Sequence, residues 1–438
     1  MTTNRRNFLK FASTAGLGLA ASGVSWMAMA RSAKTPRSPT IPTDAGIRGR
    51  VVVVGGGMAG ATVAKYLRLW GGTGVDVTLI ERAPFYTSSI MSNLVLTGQR
   101  TLPSLQFGYG FLSSNYGVHV VQGEVVGVNA AGYYVTLADG TRLDYDRLVI
   151  APGVQFDTIF GLETPEAQAR VPHAWQAGPQ TTQLRDQIQG MPNGGTFIMT
   201  IPAKPYRCPP GPYERACVVA DWLKQNRPGS RVVVCDANPG ITAEANTFTN
   251  AFQKTHAGVI EYYSNVVVHS ADAGTLSIST NQGIVAGNVL NIIPPHRAGK
   301  VITDNGLADD LSGRWTAVDV LSYESIHAPG VHVIGDASAT TQPKAGHIAN
   351  QEAKVCADAI TRLLAGGSPD QAPVTNSACY SPITSSTASW LTVVYAYDPV
   401  SRTMVPVPGA SGEAGAPSKD NYEEMGKWFT TLMADTFV

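Results

Sequence analysis

Arg50-Val-Val-Val-Val-Gly-Gly-Gly-Met-Ala-Gly60 joins a run of valines to a cluster of glycines. Runs of β-branched apolar residues are typical of parallel strands that are buried on both faces. Gly55, Gly57 and Gly60 have the spacing G-x-G-x-x-G, which lets a pyrophosphate approach the backbone and the N-terminus of a following helix. Since residues 61–69 have helical composition, the stretch predicts the strand, turn and helix of a Rossmann-like βαβ unit.

The segments that follow indicate FAD as the nucleotide. An apolar run ends at Glu81, about 20 residues beyond the last glycine, where an acid can accept hydrogen bonds from ribose hydroxyls. Leu148-Val-Ile-Ala151-Pro-Gly153 resembles a second fingerprint of flavin enzymes, with proline in place of the usual threonine. Val331-His-Val-Ile-Gly335-Asp336-Ala resembles a third, in which the aspartate binds the ribityl chain.

The region after the third fingerprint predicts a positive potential beside the flavin. A helix that starts near residue 348 would point its positive end at the flavin pyrimidine and stabilise a reduced anion. Lys344 precedes this helix and would add charge there, unless it is an ordinary surface lysine.

A second βαβ unit follows the first, but its turn carries no glycine fingerprint. Residues 196–201 and 231–236 predict two strands, with a helix from about Glu214 to Gln225 between them. The turn reads Pro-Tyr-Arg-Cys208-Pro-Pro-Gly-Pro-Tyr-Glu214, and proline offers no backbone N–H to a phosphate. The pattern predicts a degenerate NAD-type domain that does not bind NAD(P)H and has acquired a thiol instead.

Composition excludes some classes of function. The 438 residues carry a formal net charge of zero and only 15% charged residues. No basic field is therefore present to hold nucleic acid. Of the five cysteines, those at 217, 235 and 356 fall on predicted helices or strands, where core packing is the ordinary role of a thiol.

The N-terminus predicts export. Arg5-Arg6-Asn7-Phe8-Leu9-Lys10 is a twin-arginine signal, and Ala28-Met29-Ala30 is a cleavage pattern. The alternative, an uncleaved membrane anchor, is disfavoured because the stretch between them is rich in glycine and serine. The mature chain is expected in a bacterial periplasm with no transmembrane span, after a flexible leader at residues 31–47.

The chain resembles the flavoprotein subunit of flavocytochrome c sulfide dehydrogenase over nearly all of its mature length. The resemblance is carried by Arg207-Cys208-Pro-Pro-Gly-Pro-Tyr-Glu-Arg215, by residues 291–299, by Cys379-Tyr-Ser381 and by Asp435-Thr-Phe437. It implies a redox-active disulfide between Cys208 and Cys379 beside the flavin, with Glu214 as the base. A purely structural disulfide that clamps the C-terminal segment is the alternative.

One departure from the family concerns flavin attachment. Many members bind the flavin 8-methyl group through the cysteine of a Y-T-C sequence, whereas this chain reads Phe85-Tyr-Thr-Ser88-Ser-Ile90. Ser88 replaces the linking cysteine, so FAD is expected to be bound non-covalently.

The resemblance also implies the fold class. We expect an α/β chain with two Rossmann-like domains of the glutathione-reductase type and a small α+β C-terminal domain. The expected limits are a signal at 1–30, an FAD domain at 48–160 and 293–370, a degenerate NAD-type domain at 161–292 and the C-terminal domain at 371–438. Within the last, we predict a strand at 390–397, a loop at 405–419 and an amphipathic helix at 423–433.

Three functions remain open at this point. The favoured one is a periplasmic sulfide dehydrogenase that oxidises hydrosulfide to sulfur or polysulfide and passes electrons to a c-type cytochrome. The second is an enzyme like sulfide:quinone oxidoreductase, although the charged C-terminal end favours a soluble partner over quinone. The third is a non-catalytic accessory flavoprotein of a sulfur-oxidation complex.

Overall fold

In a computed structural model of the chain, residues 40–43 and 46–438 are described. The predictions of a twin-arginine signal, of its cleavage and of residues 31–39 of the leader fall outside this part. The end of the predicted leader is not a free segment. Thr73 N donates to the Pro42 carbonyl at 2.9 Å, and the side chains of Ile41 and Ile47 pack against the main core. These contacts involve the last residues of the expected leader, whose flexibility stays a prediction.

The first segment of the chain contains the strands and helices of the glycine-rich βαβ unit and the short elements after it. They are β1 (Gly49–Val54), α1 (Met58–Gly71), β2 (Val75–Glu81), β3 (Phe85–Thr87), α2 (Asn93–Leu96), β4 (Gln106–Gly108), α3 (Gly110–Tyr116), β5 (His119–Gln122), β6 (Val125–Asn129), β7 (Tyr134–Leu137), β8 (Arg142–Asp144), β9 (Arg147–Ile150), β10 (Val154–Phe156) and α4 (Pro165–Arg170).

The middle segment contains the second βαβ unit. Its elements are α5 (Pro179–Gln189), β11 (Thr196–Ile201), α6 (Gly211–Asn226), β12 (Arg231–Asp236), α7 (Ala245–Asn250), β13 (Ile260–Tyr263), β14 (Val268–Asp272), β15 (Ser277–Thr280), β16 (Gly283–Ala286) and β17 (Val289–Ile292).

The last segment returns to the first sheet and then forms a sheet of its own. Its elements are β18 (His296–Ala298), α8 (Lys300–Asp304), β19 (Thr316–Asp319), β20 (Glu324–Ser325), β21 (Val331–Val333), β22 (Ser338–Ala339), α9 (Gly346–Leu364), β23 (Val374–Pro382), β24 (Ala388–Asp398), β25 (Thr403–Glu413) and α10 (Lys419–Phe437).

The largest sheet has the order β22-β19-β20-β21-β9-β1-β2-β5. Its centre is parallel, because β1 pairs in parallel with β2 and β9, and β21 pairs in parallel with β9. The valines of β1 are buried, as their β-branched composition predicts, and α1 and α9 pack against this core. Chain segments before and after the middle domain thus build one sheet.

The middle sheet is a smaller parallel sheet with the order β13-β12-β11-β17. Helix α6 connects β11 to β12 and supplies buried side chains to the second core. This arrangement confirms the predicted α/β class with two Rossmann-like units. The three-stranded sheet β23-β24-β25 lies wholly within the predicted C-terminal domain.

The C-terminal sheet corrects the prediction of a loop at 405–419. Most of that stretch is β25, which pairs antiparallel with β24, and Pro406 lies opposite Tyr395. The prolines mislead because a proline is tolerated in an edge strand, where its missing N–H faces away from the ladder. The predicted helix is also longer and begins after Ser418, whose hydroxyl caps the Asn421 N–H at 3.1 Å.

Helix α10 ends against the glycine-rich unit. The Lys65 ammonium group donates to the carbonyls of Asp435 and Val438 at 2.8 and 2.7 Å, and the Phe437 ring stacks on Tyr86 and Phe107. The cation meets the negative end of the helix, an arrangement that stabilises both. The Asp-Thr-Phe segment that contributes to the family resemblance therefore fixes the C-terminal helix in place.

Candidate active site

A cavity of about 920 Å³ lies at the carboxyl ends of β1, β2, β9 and β21. This is where ligands bind in open parallel sheets, and the volume is within the usual range of about 300–1,000 Å³ for cofactor pockets. The predicted site residues that line it come from all three segments of the chain: Gly55, Gly57, Glu81, Ala151, Gly153, Cys208, Glu214, Gly335, Asp336 and Cys379. The structure therefore brings together most of the residues that the sequence pattern singled out.

The glycine-rich turn is built for a close approach of backbone and ligand. A Cβ on Gly60 would lie 1.8 Å from the Gly55 carbonyl oxygen, so only glycine lets α1 start this close to β1. A Cβ on Gly57 would meet only the edge of Tyr86 at 3.8 Å, which leaves its cavity side open. Gly60 itself does not line the cavity; its role is packing, while Gly55 and Gly57 face the space for a pyrophosphate.

The Glu81 side chain accepts hydrogen bonds from backbone N–H groups at the edge of the same turn. One carboxylate oxygen accepts from the Gly56 N–H at 2.6 Å and the other from the Ala83 N–H at 2.9 Å. The side chain is fixed at the end of β2, where the remaining lone pairs can accept from ribose hydroxyls.

Asp336 provides the clearest sign of a missing polar partner. Its Oδ1 is buried and has no hydrogen-bond partner among the described residues. Burial raises the pKa of this carboxyl group, although Arg207 and Lys344 oppose the rise. Buried polar atoms normally have partners, so Asp336 fits a role as acceptor for ligand hydroxyls. Together with the glycine turn and Glu81, the donor and acceptor set suits FAD.

Lys344 lies beside Asp336 but does not line the large cavity. Its ammonium group is buried away from the large cavity, donates to the carbonyls of Asp336 and Ser338 at 2.9 and 2.8 Å, and lies 3.7 Å from the Trp315 ring centre. Burial lowers the pKa of this lysine to about 8. It is not an ordinary surface lysine: it holds the backbone around Asp336 and supplies positive charge beside that carboxyl group.

Ser88 also differs from its prediction as a cofactor-binding residue. Its side chain is fully buried and donates to the Ile90 carbonyl at 3.2 Å, and it does not line the cavity. Thr87 and Ser89 on either side do line it. The lining is continuous from Arg82 to Thr87 and from Ser89 to Leu94, so Ser88 is the one residue of this stretch that does not line the cavity.

Cys208 and Cys379 face the same cavity from different domains. Both are partly buried and both are free thiols in this structure. Burial raises the pKa of the Cys379 thiol to about 12, and the nearby carboxyl groups of Glu244 and Glu214 contribute to the rise. Burial likewise raises the pKa of Cys208, with additional contributions from Cys379 and Glu214. The two sulfur groups are thus close enough to influence each other.

The backbone at Cys208 is held in an unusual conformation. Its φ of 61° lies in the left-handed region, and its N–H donates to the Lys344 carbonyl at 2.7 Å. Helix α6 begins at Gly211, where a Cβ would lie 2.8 Å from Sγ of Cys208. A strained residue fixed in this way points to function, since such a conformation costs about 1–3 kcal/mol.

Glu214 lies one turn along α6 and also faces the cavity. It is 8% exposed, and Asn93 Nδ2 donates to its carboxylate. Burial, reinforced by Glu244, raises the pKa of Glu214 to about 8, although the hydrogen bond from Asn93 and the charge of Arg215 oppose the rise. A carboxyl group that titrates near neutral pH is suited to accept and release protons.

Arg215 and Asn93 complete this arrangement, and neither was predicted from the sequence as a site residue. Arg215 is 1% exposed and donates to the Asn93 and Asn291 amide oxygens and to the carbonyls of His173 and Ala174. Its guanidinium also lies 4.6 Å from the Trp175 ring centre. The only sequence signal for Arg215 was its position at the end of the cysteine-containing stretch that resembles the family. No sequence signal pointed to Asn93.

Arg207 is a further cavity residue that the sequence did not single out. It lines the cavity and donates to the Trp175 carbonyl, and its charge opposes the rise in pKa of both Asp336 and Cys208. An arginine whose charge acts on both Asp336 and Cys208 can attract an anionic ligand to this part of the cavity.

The acid at the end of β12 is hydrogen-bonded by groups of the middle domain itself. Asp236 ends β12, where a dinucleotide domain carries its ribose-binding acid, but it is fully buried. Its Oδ2 accepts from Tyr213 and Tyr262 at 2.7 and 2.8 Å, and its Oδ1 accepts from Asn238. The protein's own side chains therefore use the acceptor that a nicotinamide nucleotide would need.

Three family models match the chain. Residues 49–186 match pyridine nucleotide-disulphide oxidoreductase, residues 181–294 match the central domain of the sulfide dehydrogenase (flavocytochrome c) flavoprotein chain, and residues 371–437 match the flavin-binding domain of flavocytochrome c sulphide dehydrogenase. The fold and the first model define a flavin-dependent oxidoreductase with two dinucleotide-type domains. The two narrower models, together with the fold, support a flavocytochrome c sulfide dehydrogenase flavoprotein-like protein, and the flavin-binding model supports FAD as its cofactor.

Individual relatives are more distant. The chain is 40% identical over 107 residues to a probable ferredoxin reductase of Castellaniella defragrans, a match that spans 24% of this chain and 26% of that protein. It is 23% identical over 300 residues to the mitochondrial sulfide:quinone oxidoreductase of Dictyostelium discoideum, covering 66% of this chain and 65% of that protein. The crystal structure of sulfide:quinone oxidoreductase from Aquifex aeolicus shares the fold, with a TM-score of 0.71, 17% identity and coverage of 88% and 92% of the two chains.

The described part of the chain offers neither a membrane-crossing helix nor a cluster of metal ligands. None of the described helices is long and apolar enough to cross a bilayer. Residues 40–43 and 46–438 contain no group of three or more metal-ligating side chains placed to hold an ion.

Proposed function

We propose that this protein is a periplasmic, FAD-dependent sulfide dehydrogenase. It oxidises hydrosulfide through a redox-active disulfide between Cys208 and Cys379, and its electrons go to a c-type cytochrome. The observation that carries the proposal is that both thiols and the buried acid Glu214 line the cavity that also contains the FAD-binding residues. A merely structural disulfide would need no acid with a pKa near neutrality and no place in that cavity.

The chemistry at the two cysteines consumes two hydrosulfide ions and delivers two electrons to an acceptor. Hydrosulfide attacks one sulfur of the disulfide, leaving a persulfide on one cysteine and a thiolate on the other. A second hydrosulfide removes the outer sulfur as hydrodisulfide and leaves a thiol. The thiol and thiolate then close the disulfide again, releasing two electrons and one proton. When bound, FAD supplies the two-electron acceptor for this oxidation.

Glu214 takes the proton that the closing thiol releases. With a pKa of about 8 it is partly ionised near neutral pH and can accept a proton, then return it towards solvent. Asn93 fixes the carboxyl group, and Arg207 balances the negative charge of the incoming anion and of the thiolate. Cys208 is partly buried and Glu214 is buried, and burial strengthens these electrostatic effects.

A protein electron acceptor is preferred over a nicotinamide nucleotide. The prolines after β11 remove N–H donors from the phosphate position, and the saturated Asp236 removes the ribose acceptor. We assign the acceptor as a c-type cytochrome on the resemblance to the flavocytochrome family. Export by the twin-arginine route, with FAD already inserted, would place the folded protein beside such a cytochrome.

Anaerobic titration with sulfide tests this function directly. Wild-type protein should lose its flavin absorbance band with stoichiometric sulfide, whereas Cys208→Ala and Cys379→Ala should not. Cys235→Ala is the matched control, because that thiol is buried at the end of β12 and does not line the cavity. Equal bleaching in all four proteins would remove the disulfide from the mechanism, and no bleaching in the wild type would favour an accessory flavoprotein.

The acceptor is tested in the same preparation. Steady-state turnover with sulfide should reduce mitochondrial-type cytochrome c and should not consume NAD⁺. Turnover with a short-chain quinone but not with cytochrome c would select the alternative of a sulfide:quinone oxidoreductase-like enzyme.

A further inference from the structure

Glu244 is a buried acid that the proposed reaction does not yet use. It lies in the loop between β12 and α7, is 4% exposed, and has a left-handed backbone with φ of 49°. A non-glycine residue in this conformation is uncommon, and burying a carboxyl group costs free energy unless it is paired. The structure thus accepts two unfavourable features to keep this acid where it is.

The contacts of Glu244 connect it to the strand that carries Cys379. Its Oε2 accepts from the Ser381 hydroxyl at 2.6 Å, while its Oε1 is buried and has no hydrogen-bond partner among the described residues. Ser381, and Ser389 beside it, favour the ionised form, but their effect is smaller than that of burial, so the site favours the protonated acid. Burial raises the pKa of Glu244 in agreement with this geometry.

The register of β23 places Glu244 on the same side as the thiol. Cys379 and Ser381 are two residues apart in an antiparallel strand, so their side chains project from the same face. Since Ser381 contacts Glu244 directly, the acid lies beside the Cys379 side chain. Glu244 does not line the cavity, whereas Glu214 does, so Cys379 has one acid facing the cavity and another behind it.

We propose that Glu244 is a positioning residue of the sulfur site, and that its carboxyl group, held by Ser381 behind Cys379, controls the ionisation of the Cys379 thiol. While Glu244 is protonated, Cys379 can become a thiolate beside a neutral neighbour. Once Glu244 ionises, a second negative charge opposes that thiolate. The consequence for turnover rests on the proposed function, but the control of thiol ionisation does not.

Other groups also face this acid, and the test must separate them. Glu214 approaches from α6, Glu413 from β25 and Ser389 from β24, while the buried thiol of Cys217 lies on α6. Of these, Glu413 is exposed and influences Glu244, but it is not among the groups that shift the pKa of Cys379. It provides a matched control for a general change in charge.

The test measures thiol ionisation in the FAD-bound protein without sulfide. Protein reduced anaerobically with a phosphine is treated with iodoacetamide between pH 6 and 10, and the rate at Cys379 is read from its peptide by mass spectrometry. Because only the thiolate reacts, removing a nearby like charge should raise the rate at pH 8–9 by about tenfold in Glu244→Gln, corresponding to a shift of about one pH unit. Glutamine keeps the acceptor for Ser381, so a purely structural role would leave the profile unchanged.

Two further variants keep the test decisive. Glu413→Gln should leave the Cys379 profile within twofold of wild type. Ser381→Ala removes the hydrogen bond that favours the ionised acid, so it should accelerate alkylation in the same direction by about two- to threefold. If Glu244→Gln does not fold, the alkylation rate of Ser381→Ala tests the inference instead. Rates within twofold of wild type in the variant that folds, or an equal acceleration in Glu413→Gln, would overturn the inference while leaving sulfide oxidation untouched.

Discussion

Asn93 Nδ2 lies 2.9 Å from Oε1 of Glu214, and it is the side-chain hydrogen bond that opposes the effect of burial on that carboxyl group. The contact joins α2, in the FAD-binding part of the chain, to α6 in the middle domain. The proton acceptor of the proposed reaction is therefore set by a residue from the other domain.

Replacing Asn93 with alanine should move the pH dependence of flavin reduction. The hydrogen bond stabilises the ionised form, so its loss raises the pKa of Glu214 above about 8. Because Glu214 accepts a proton only when ionised, the rising limb of the rate should move to higher pH by about one unit. Stopped-flow reduction by sulfide, plotted against hydrosulfide concentration, measures this.

Two further variants serve as the positive and the negative control for that result. Glu214→Gln should abolish the limb, and Asn129→Ala, at an exposed asparagine on β6, should leave it in place. A midpoint that does not move in Asn93→Ala would show that Glu214 is not the group that titrates.

Flavin attachment gives a second prediction. The chain has no cysteine between residues 49 and 207, and the side chains of the 85–92 segment that line the cavity are hydroxyl, aromatic and aliphatic groups and the methylated sulfur of Met91. No thioether to the flavin can form from this segment, so acid precipitation should leave all of the yellow FAD in the supernatant. Absorbance of the two fractions measures this, and a yellow pellet would contradict it.

The glycine-rich turn gives a third prediction with a control inside the same chain. Gly60→Ala would force a Cβ to 1.8 Å from the Gly55 carbonyl and should abolish FAD retention and lower the melting temperature sharply. Gly426 lies in the middle of α10 with no neighbouring atom within 4 Å of the position that a Cβ would take, so Gly426→Ala should stabilise the helix by about 0.5–1 kcal/mol. Flavin content and thermal unfolding distinguish the two, and comparable losses would refute the packing argument.

The sequence predicted the βαβ units and most of the cavity because those features are local in the chain. A valine run, a glycine spacing and a terminal acid lie within about 30 residues, and their geometry follows from strand and helix periodicity. The pairing of Cys208 with Cys379 came from the family resemblance alone, since about 170 residues separate them and no periodicity predicts that they share a cavity.

The residues that sequence reasoning missed act across domains. Asn93 and Glu244 have no motif around them, and their importance depends on contacts with α6 and β23 that exist only in the folded chain. Lys344 and Ser88 each lie next to a cavity-lining residue but do not line the cavity themselves, because the direction of a side chain depends on local backbone geometry.

Docking of the C-terminal helix gives a fourth prediction. Lys65→Met removes the cation from the negative end of α10, together with the donor to three of its carbonyls, which should cost about 2–3 kcal/mol. The loss should appear as faster amide hydrogen exchange confined to α10. Since Met425 and Trp428 of this helix line the cavity, the affinity for FAD should fall as well. Unchanged exchange in α10 would show that aromatic packing of Phe437 alone holds the helix.

The last prediction concerns stability and pH. Glu352 on α9 is buried, its Oε2 accepts from the Gly335 N–H at 2.7 Å, and burial raises its pKa from 4.5 to about 8. The folded state therefore holds this proton more tightly than the unfolded chain. Its contribution to stability is complete below the unfolded pKa and is lost as pH rises through the folded pKa.

The melting temperature of the wild type should accordingly fall between pH 5 and 9. The melting temperature of Glu352→Gln should fall less, and the difference between the two falls should be about 2–5 °C over that window. Glutamine is neutral at every pH and keeps the oxygen that accepts from Gly335. Burial also raises the pKa of Glu214, which remains in the variant, so part of the fall in melting temperature with pH must persist.

Glu423→Gln, at an exposed acid on α10, is the control and should show the same fall in melting temperature with pH as the wild type. Calorimetry at constant excess FAD keeps ligand binding from obscuring the comparison. Parallel curves for the wild type and Glu352→Gln would mean that the buried acid is already ionised in the folded protein.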